Sequence, residues 1–157
     1  MSATPLLAIA GLILAVLLPA ARADAAAGSC AFNSTVGVNF GAYDVFNPVP
    51  TDSTGSLTYT CIGLVGPITI ELNKGGAPSY HPLLMQKSSG ETLSYNLYLD
   101  AARVSIWGNG NGGTSRYGPV TPPLGSPVTV TIYGRIPARQ NVSAGSYRDT
   151  IRATINF

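Results

Sequence analysis

Charge is scarce in this sequence. Asp, Glu, Lys and Arg make up 10% of its 157 residues, and the formal net charge is +2. Beyond Arg22, the cations Lys74, Lys87, Arg103, Arg116, Arg135, Arg139, Arg148 and Arg152 are dispersed along the chain. A dispersed, near-neutral set offers no electrostatic attraction to nucleic acid or to an anionic membrane. Histidine is scarcer still: His81 stands alone in a loop just ahead of Pro82. A nucleophile–base–acid set needs a histidine or its equivalent beside Ser or Cys, and a catalytic zinc ion usually takes three protein ligands. One His and two Cys do not supply them, and the sequence calls for no cofactor. Helical periodicity is missing too, for no amphipathic helix can be traced after residue 24.

The residues that remain make a weak case for chemistry. Asp44, Asp52, Glu71, Glu91, Asp100 and Asp149 include pairs of the kind a glycosidase uses, but any chain has such residues. Gly108-Asn-Gly-Asn-Gly-Gly113 has the glycines of a phosphate cradle without the Lys-Ser/Thr ending or a following helix. The chain is therefore read as non-enzymatic.

What is present begins with one apolar run, Leu6 to Leu18, followed by Pro19 and small residues. Ala21-Arg22-Ala23 has the small-x-small form that a signal peptidase cleaves, although no Lys or Arg precedes the run. The run falls short of the roughly 20 residues that span a bilayer. Residues 1–23 are thus expected to be a cleaved signal peptide, with no stable membrane insertion. Residues 24–157 are expected to form one exported domain. Both cysteines, Cys30 and Cys61, lie in that part, and one disulfide is the default in an oxidising compartment. The competing reading makes Cys30 a lipidation site, but Ala27-Gly28-Ser29 lacks the Leu usual three positions upstream.

The exported part alternates apolar and polar residues between Gly-, Pro-, Ser- and Asn-rich turns, the pattern of an all-β fold. Val36, Val38 and Phe40 are expected on a first strand. Leu57, Tyr59 and Cys61 follow, then Ile68, Ile70 and Leu72, and a short strand over Leu83–Met85. Leu93, Tyr95, Leu97 and Leu99 form the next, and Val128, Val130 and Ile132 another. The cleanest alternation comes last. Tyr147, Ile151, Ala153, Ile155 and Phe157 share one face, with Asp149 the only polar exception. Between Trp107 and Val128, ten of 20 residues are Gly or Pro, which predicts a long loop. Trp107, Tyr117 and Tyr133 flank or follow it. Exposed, they could stack on sugars or enter partner pockets. Equally, Trp107 could be a core or sheet-edge residue.

Five segments carry a family resemblance: Val38-Asn-Phe-Gly-Ala-Tyr43, Ser94-Tyr-Asn-Leu-Tyr-Leu-Asp-Ala-Ala102, Ile106-Trp-Gly108, Tyr133-Gly-Arg-Ile-Pro-Ala-Arg-Gln140 and Ala144-Gly-Ser-Tyr-Arg-Asp-Thr150. In this order they resemble the spore coat protein U domain family, which includes subunits of archaic chaperone–usher pili. The resemblance runs from about Cys30 to Phe157. It implies a disulfide just before the first strand and at the end of the second, and an immunoglobulin-like β-sandwich lacking its final strand. A periplasmic chaperone would supply that strand first, and a neighbouring subunit would replace it at the outer-membrane usher. The route would run through the periplasm to the cell surface.

On this reading Val36, Val38 and Phe40 form one wall of a donor-strand groove, and Ile151, Ala153, Ile155 and Phe157 the other. The stretch Asp24-Ala-Ala-Ala-Gly-Ser29 reaches at most about 20 Å and has no large apolar residues. The chain is therefore expected to accept a strand without donating one, in a tip-like or terminal position. The alternative is a self-sufficient secreted ligand- or glycan-binding module whose surface is Trp107 and Tyr117.

Overall fold

The computed structural model describes residues 28–63 and 65–157. The expected signal peptide lies outside the described residues. Among the described residues there are eight strands: β1 (Ser29–Val36), β2 (Thr51–Ile62), β3 (Ile68–Leu72), β4 (Leu83–Gln86), β5 (Thr92–Tyr98), β6 (Tyr117–Val120), β7 (Val128–Ile136) and β8 (Ala153–Asn156). They form a five-stranded sheet in the order β1-β2-β7-β5-β4 and a three-stranded sheet in the order β6-β3-β8, with every named pairing antiparallel. No helix among the described residues is long and apolar enough to cross a membrane.

The core lies between the sheets and follows the period-2 alternation of the strands. Leu57, Tyr59 and Cys61 of β2, Leu93, Tyr95 and Leu97 of β5, and Val130, Ile132 and Ile136 of β7 face Ile68, Ile70 and Leu72 of β3. Cys30 and Cys61 are direct cross-strand partners on β1 and β2 and form the disulfide.

Two strands differ from the expectation. The first strand is Ser29–Val36, so Cys30 lies inside it, and Val38 and Phe40 lie beyond it. They belong to a crossing segment, residues 37–45, that passes over the inner face of the large sheet. Glycines make room for the crossing. A β-carbon on Gly134 would lie 2.6 Å from Val38 Cγ1 and 2.7 Å from Phe40 Cζ, and one on Gly55 would lie 2.5 Å from the Val36 carbonyl oxygen. The long Gly/Pro segment, expected to be all loop, contains β6. Pro119 fits there because β6 is an edge strand, where a missing N–H breaks no ladder.

One ion-pair cluster ties β2 to β7. The Arg135 guanidinium donates through Nε to Asp52 Oδ1 (2.7 Å) and through Nη2 to Oδ2 (2.8 Å), and Arg103 Nη1 lies 3.2 Å from Oδ2. The Arg135 hydrogen bonds hold the Asp52 carboxyl below its ordinary value of 3.8, against the opposing effect of burial and with help from the Arg103 charge. A lowered folded pKa means that the stabilisation is present above the unfolded value and lost as pH falls through the folded one. Asp52→Asn is expected to lower stability by about 0.5–1 kcal/mol at pH 7, the side chain being 35% exposed. The two proteins should converge in denaturant titrations as pH falls through the lowered Asp52 pKa.

Candidate functional site: a cleft between the first crossing and the last segment

A cleft opens where the two sheets part. One wall is the crossing segment, residues 37–45. The other is residues 142–153, ahead of and into β8. The floor is the inner face of β4, β5 and β7. The cleft has two chambers, of about 840 and 600 Å³, that share Val38, Phe40, Met85 and Tyr147. Met85, Leu93 and Ile136 floor the larger, and Leu57, Tyr95, Leu97 and Ile132 line the smaller.

Both walls are pinned by specific bonds. On the crossing segment, the Tyr43 hydroxyl donates to the Pro137 carbonyl and accepts from the Gln140 amide, each at 2.8 Å. Phe40 meets Tyr95 edge-on with ring centroids 6.1 Å apart. On the opposite wall, Gln86 and Arg148 exchange backbone hydrogen bonds of 2.7 and 3.0 Å. Lys87 Nζ donates to Ser143 Oγ (2.9 Å) and to the Ala144 carbonyl (2.7 Å), and Glu91 accepts from the Ser143 amide and hydroxyl.

The final alternation holds as a burial pattern. Tyr147, Asp149, Ile151, Ala153 and Ile155 are half-buried, while Arg148, Thr150, Arg152 and Thr154 are exposed. Only Ala153–Asn156 joins a ladder, beside β3. Tyr147, Asp149 and Ile151 make no backbone–backbone hydrogen bond among the described residues. This stretch is therefore an extended wall with open backbone groups, the template to which another strand can add.

Of the residues expected to line a groove, Val38, Phe40, Ile151 and Ala153 line the cleft. Val36 is exposed at the end of β1, Ile155 sits opposite Ile70 in the small sheet, and Phe157 is exposed; none of the three lines it. Sequence reasoning missed the floor, in particular Met85, Tyr95 and Ile132, because three separate strands converge there.

The expected aromatic ligand surface is corrected. Trp107 is fully buried, and its Nε1 donates to the Ile70 carbonyl at 2.9 Å. The Tyr117 ring packs against both Trp107 and Tyr59. Trp107 therefore cannot act as the open stacking platform that reading needs, and Tyr117 is half-buried beside it. The glycine-rich loop is likewise self-bonded. The Gly108 amide goes to the Ser115 carbonyl, the Gly110 amide to Thr114 Oγ1 and the Asn111 amide to Asn109 Oδ1.

Fold and site together define an all-β protein, a two-sheet sandwich with an open cleft along one side. The chain belongs to the Spore Coat Protein U domain family, whose family model matches residues 16–154. That membership makes it a structural protein and not an enzyme. It is 38% identical over 148 residues to "Protein U" of Myxococcus xanthus, an alignment covering 83% of this chain and 78% of that one. Its fold is similar to a chain of the chaperone–tip adhesion subunit pre-assembly complex (CsuC–CsuE) from archaic chaperone–usher Csu pili of Acinetobacter baumannii. That likeness has a TM-score of 0.57 and 20% identity; it covers 83% of this chain and spans only 40% of the other.

Proposed function

We propose that the protein is an exported subunit of a pilus or surface coat that is completed by a β-strand from another protein. A periplasmic chaperone supplies the strand in transit, and a neighbouring subunit replaces it at the usher. The observation that carries this reading is the cleft, which has an apolar floor, two pinned walls and unpaired backbone on one of them. A strand laid there gains backbone hydrogen bonds along 147–151, and its alternate side chains enter the two chambers. The complex named for the similar fold, of a chaperone with a tip adhesion subunit, is consistent with a chaperone partner.

The test is production of the full chain in a bacterial periplasm with and without its chaperone. With the chaperone, a stoichiometric soluble complex is expected. Alone, the chain should aggregate or be degraded, because its open edge and cleft floor are uncovered. A stable, soluble monomer made alone would sink the proposal.

A further inference from the structure

The cleft carries one feature foreign to an apolar groove. Asp149 stands in the inward-facing series Tyr147, Asp149, Ile151, Ala153, and lines the smaller chamber beside Leu97 and Ile132. Its carboxylate is held in place. Oδ2 accepts from the Tyr95 hydroxyl at 2.7 Å, and Oδ1 accepts from the Gly76 amide at 3.1 Å and the Thr150 amide at 2.8 Å. The Gly75–Gly76 turn closes over it, for a β-carbon on Gly75 would lie 2.4 Å from both carboxylate oxygens.

These bonds orient the carboxylate without neutralising it. Among the described residues no Lys or Arg forms an ion pair with Asp149. Nearby cations are turned away or engaged. Arg148 and Arg152 occupy the exposed alternate positions. Lys74 Nζ donates to the Pro78 carbonyl, and Lys87 Nζ to Ser143 and Ala144. Oδ2, with a single partner, keeps acceptor capacity. A half-buried, unpaired charge is unfavourable unless it is matched, and a strand filling the cleft would bury this one further.

We propose that Asp149 sets the register of the incoming strand by taking a lysine or arginine side chain from it. The inference rests on the strand-acceptor reading above and names the partner's chemistry. A strand paired along residues 147–153 places its own alternate side chains opposite Tyr147, Asp149, Ile151 and Ala153, about 7 Å apart. The matching segment thus has a cation at one inward position, with apolar residues two and four positions away on the side facing Ile151 and Ala153 and two positions away on the side facing Tyr147. Sliding by two residues would put the cation over Ile151 or Tyr147 and leave Asp149 under an apolar side chain. Both errors bury an unmatched charge, so the wrong register is penalised twice.

The test uses the exported chain, refolded with its disulfide formed in the presence of labelled 13-residue peptides. The host peptide alternates valine and threonine, and one lysine is walked through the inward positions. Binding is read by fluorescence anisotropy. One lysine position should bind at least about tenfold tighter than the all-valine host. Norleucine or acetyl-lysine there should lose the gain, glutamate should bind more weakly than valine, and added salt should reduce the difference. Asp149→Asn should abolish the lysine preference while still binding the host. If that variant does not fold, the lysine, norleucine, acetyl-lysine and glutamate series on the unaltered chain decides. Peptides that bind without discrimination, or a preference that survives in Asp149→Asn, would overturn the inference alone. If no peptide binds at all, the strand-acceptor reading falls with it.

Discussion

Trp107→Ala is expected to remove a large part of the protein's stability, at least about 4 kcal/mol. The indole is fully buried, and truncation of a buried Trp costs about 3–5 kcal/mol through lost burial and the cavity left behind. Its position adds to that. The Trp107 backbone amide donates to the Leu97 carbonyl of β5 at 2.9 Å, while its Nε1 donates to the Ile70 carbonyl of β3 at 2.9 Å. One residue therefore fastens the five-stranded sheet to the three-stranded one. Without the indole, the Ile70 carbonyl is left buried without that donor, a further cost of about 1–3 kcal/mol. Domains of this size are stable by only about 5–15 kcal/mol. Trp107→Phe keeps most of the volume and loses the bond, so a smaller loss, about 1–3 kcal/mol, is expected. Thermal denaturation followed by circular dichroism separates the outcomes. A fall of more than about 10 °C for Trp107→Ala is expected. A melting temperature within about 2 °C of the parent would restore Trp107 as a surface residue.

The same residue shows where sequence reading stops. Alternation exposed β2, β3, β5 and β7, because each places one face on a buried layer and the other towards solvent. Trp107 has no such pattern around it. It lies between Ser105-Ile106 and a glycine run, and its burial is decided by Ile70 and Leu97, which arrive from elsewhere in the chain. β6 was hidden for a local reason: Gly118 at φ +86 and Pro119 read as a turn, and only pairing with β3 makes the segment a strand. β1 was misplaced because Ser29–Val36 has little apolar alternation. The alternating Val36, Val38 and Phe40 run off the end of the ladder and across the sheet. The last wall was legible as a pattern, and so was Asp149 as its exception. That the exception is held by Tyr95 and the Gly75–Gly76 turn was not, because those contacts span 54 and 73 residues.

Loss of the disulfide, by Cys30→Ser with Cys61→Ser, should have the second large effect, and a specific spatial one. The cysteines are 31 residues apart, and closing a loop of that length stabilises by about 3–4 kcal/mol in the chain-entropy account. β1 depends on this link more than other strands would. Among the described residues it is an edge strand paired with β2 alone, and from Asn33 to Val36 it is exposed throughout. Among the described residues of β1, Cys30 and Phe32 pack against the core. In the double variant β1 should therefore detach ahead of β2 and β7. Hydrogen exchange should show protection of the hydrogen-bonded β1 amides falling by about two to three decades, with the β5 and β7 amides changed less. The consequence reaches the cleft, because residues 37–45 continue from β1 and form one of its walls. If the protein is the strand acceptor proposed above, acceptance should weaken with the loss of the link, and a complex with the chaperone should be recovered in much lower yield. If the double variant kept protected β1 amides and full complex yield, the tie between disulfide, crossing segment and cleft would be broken.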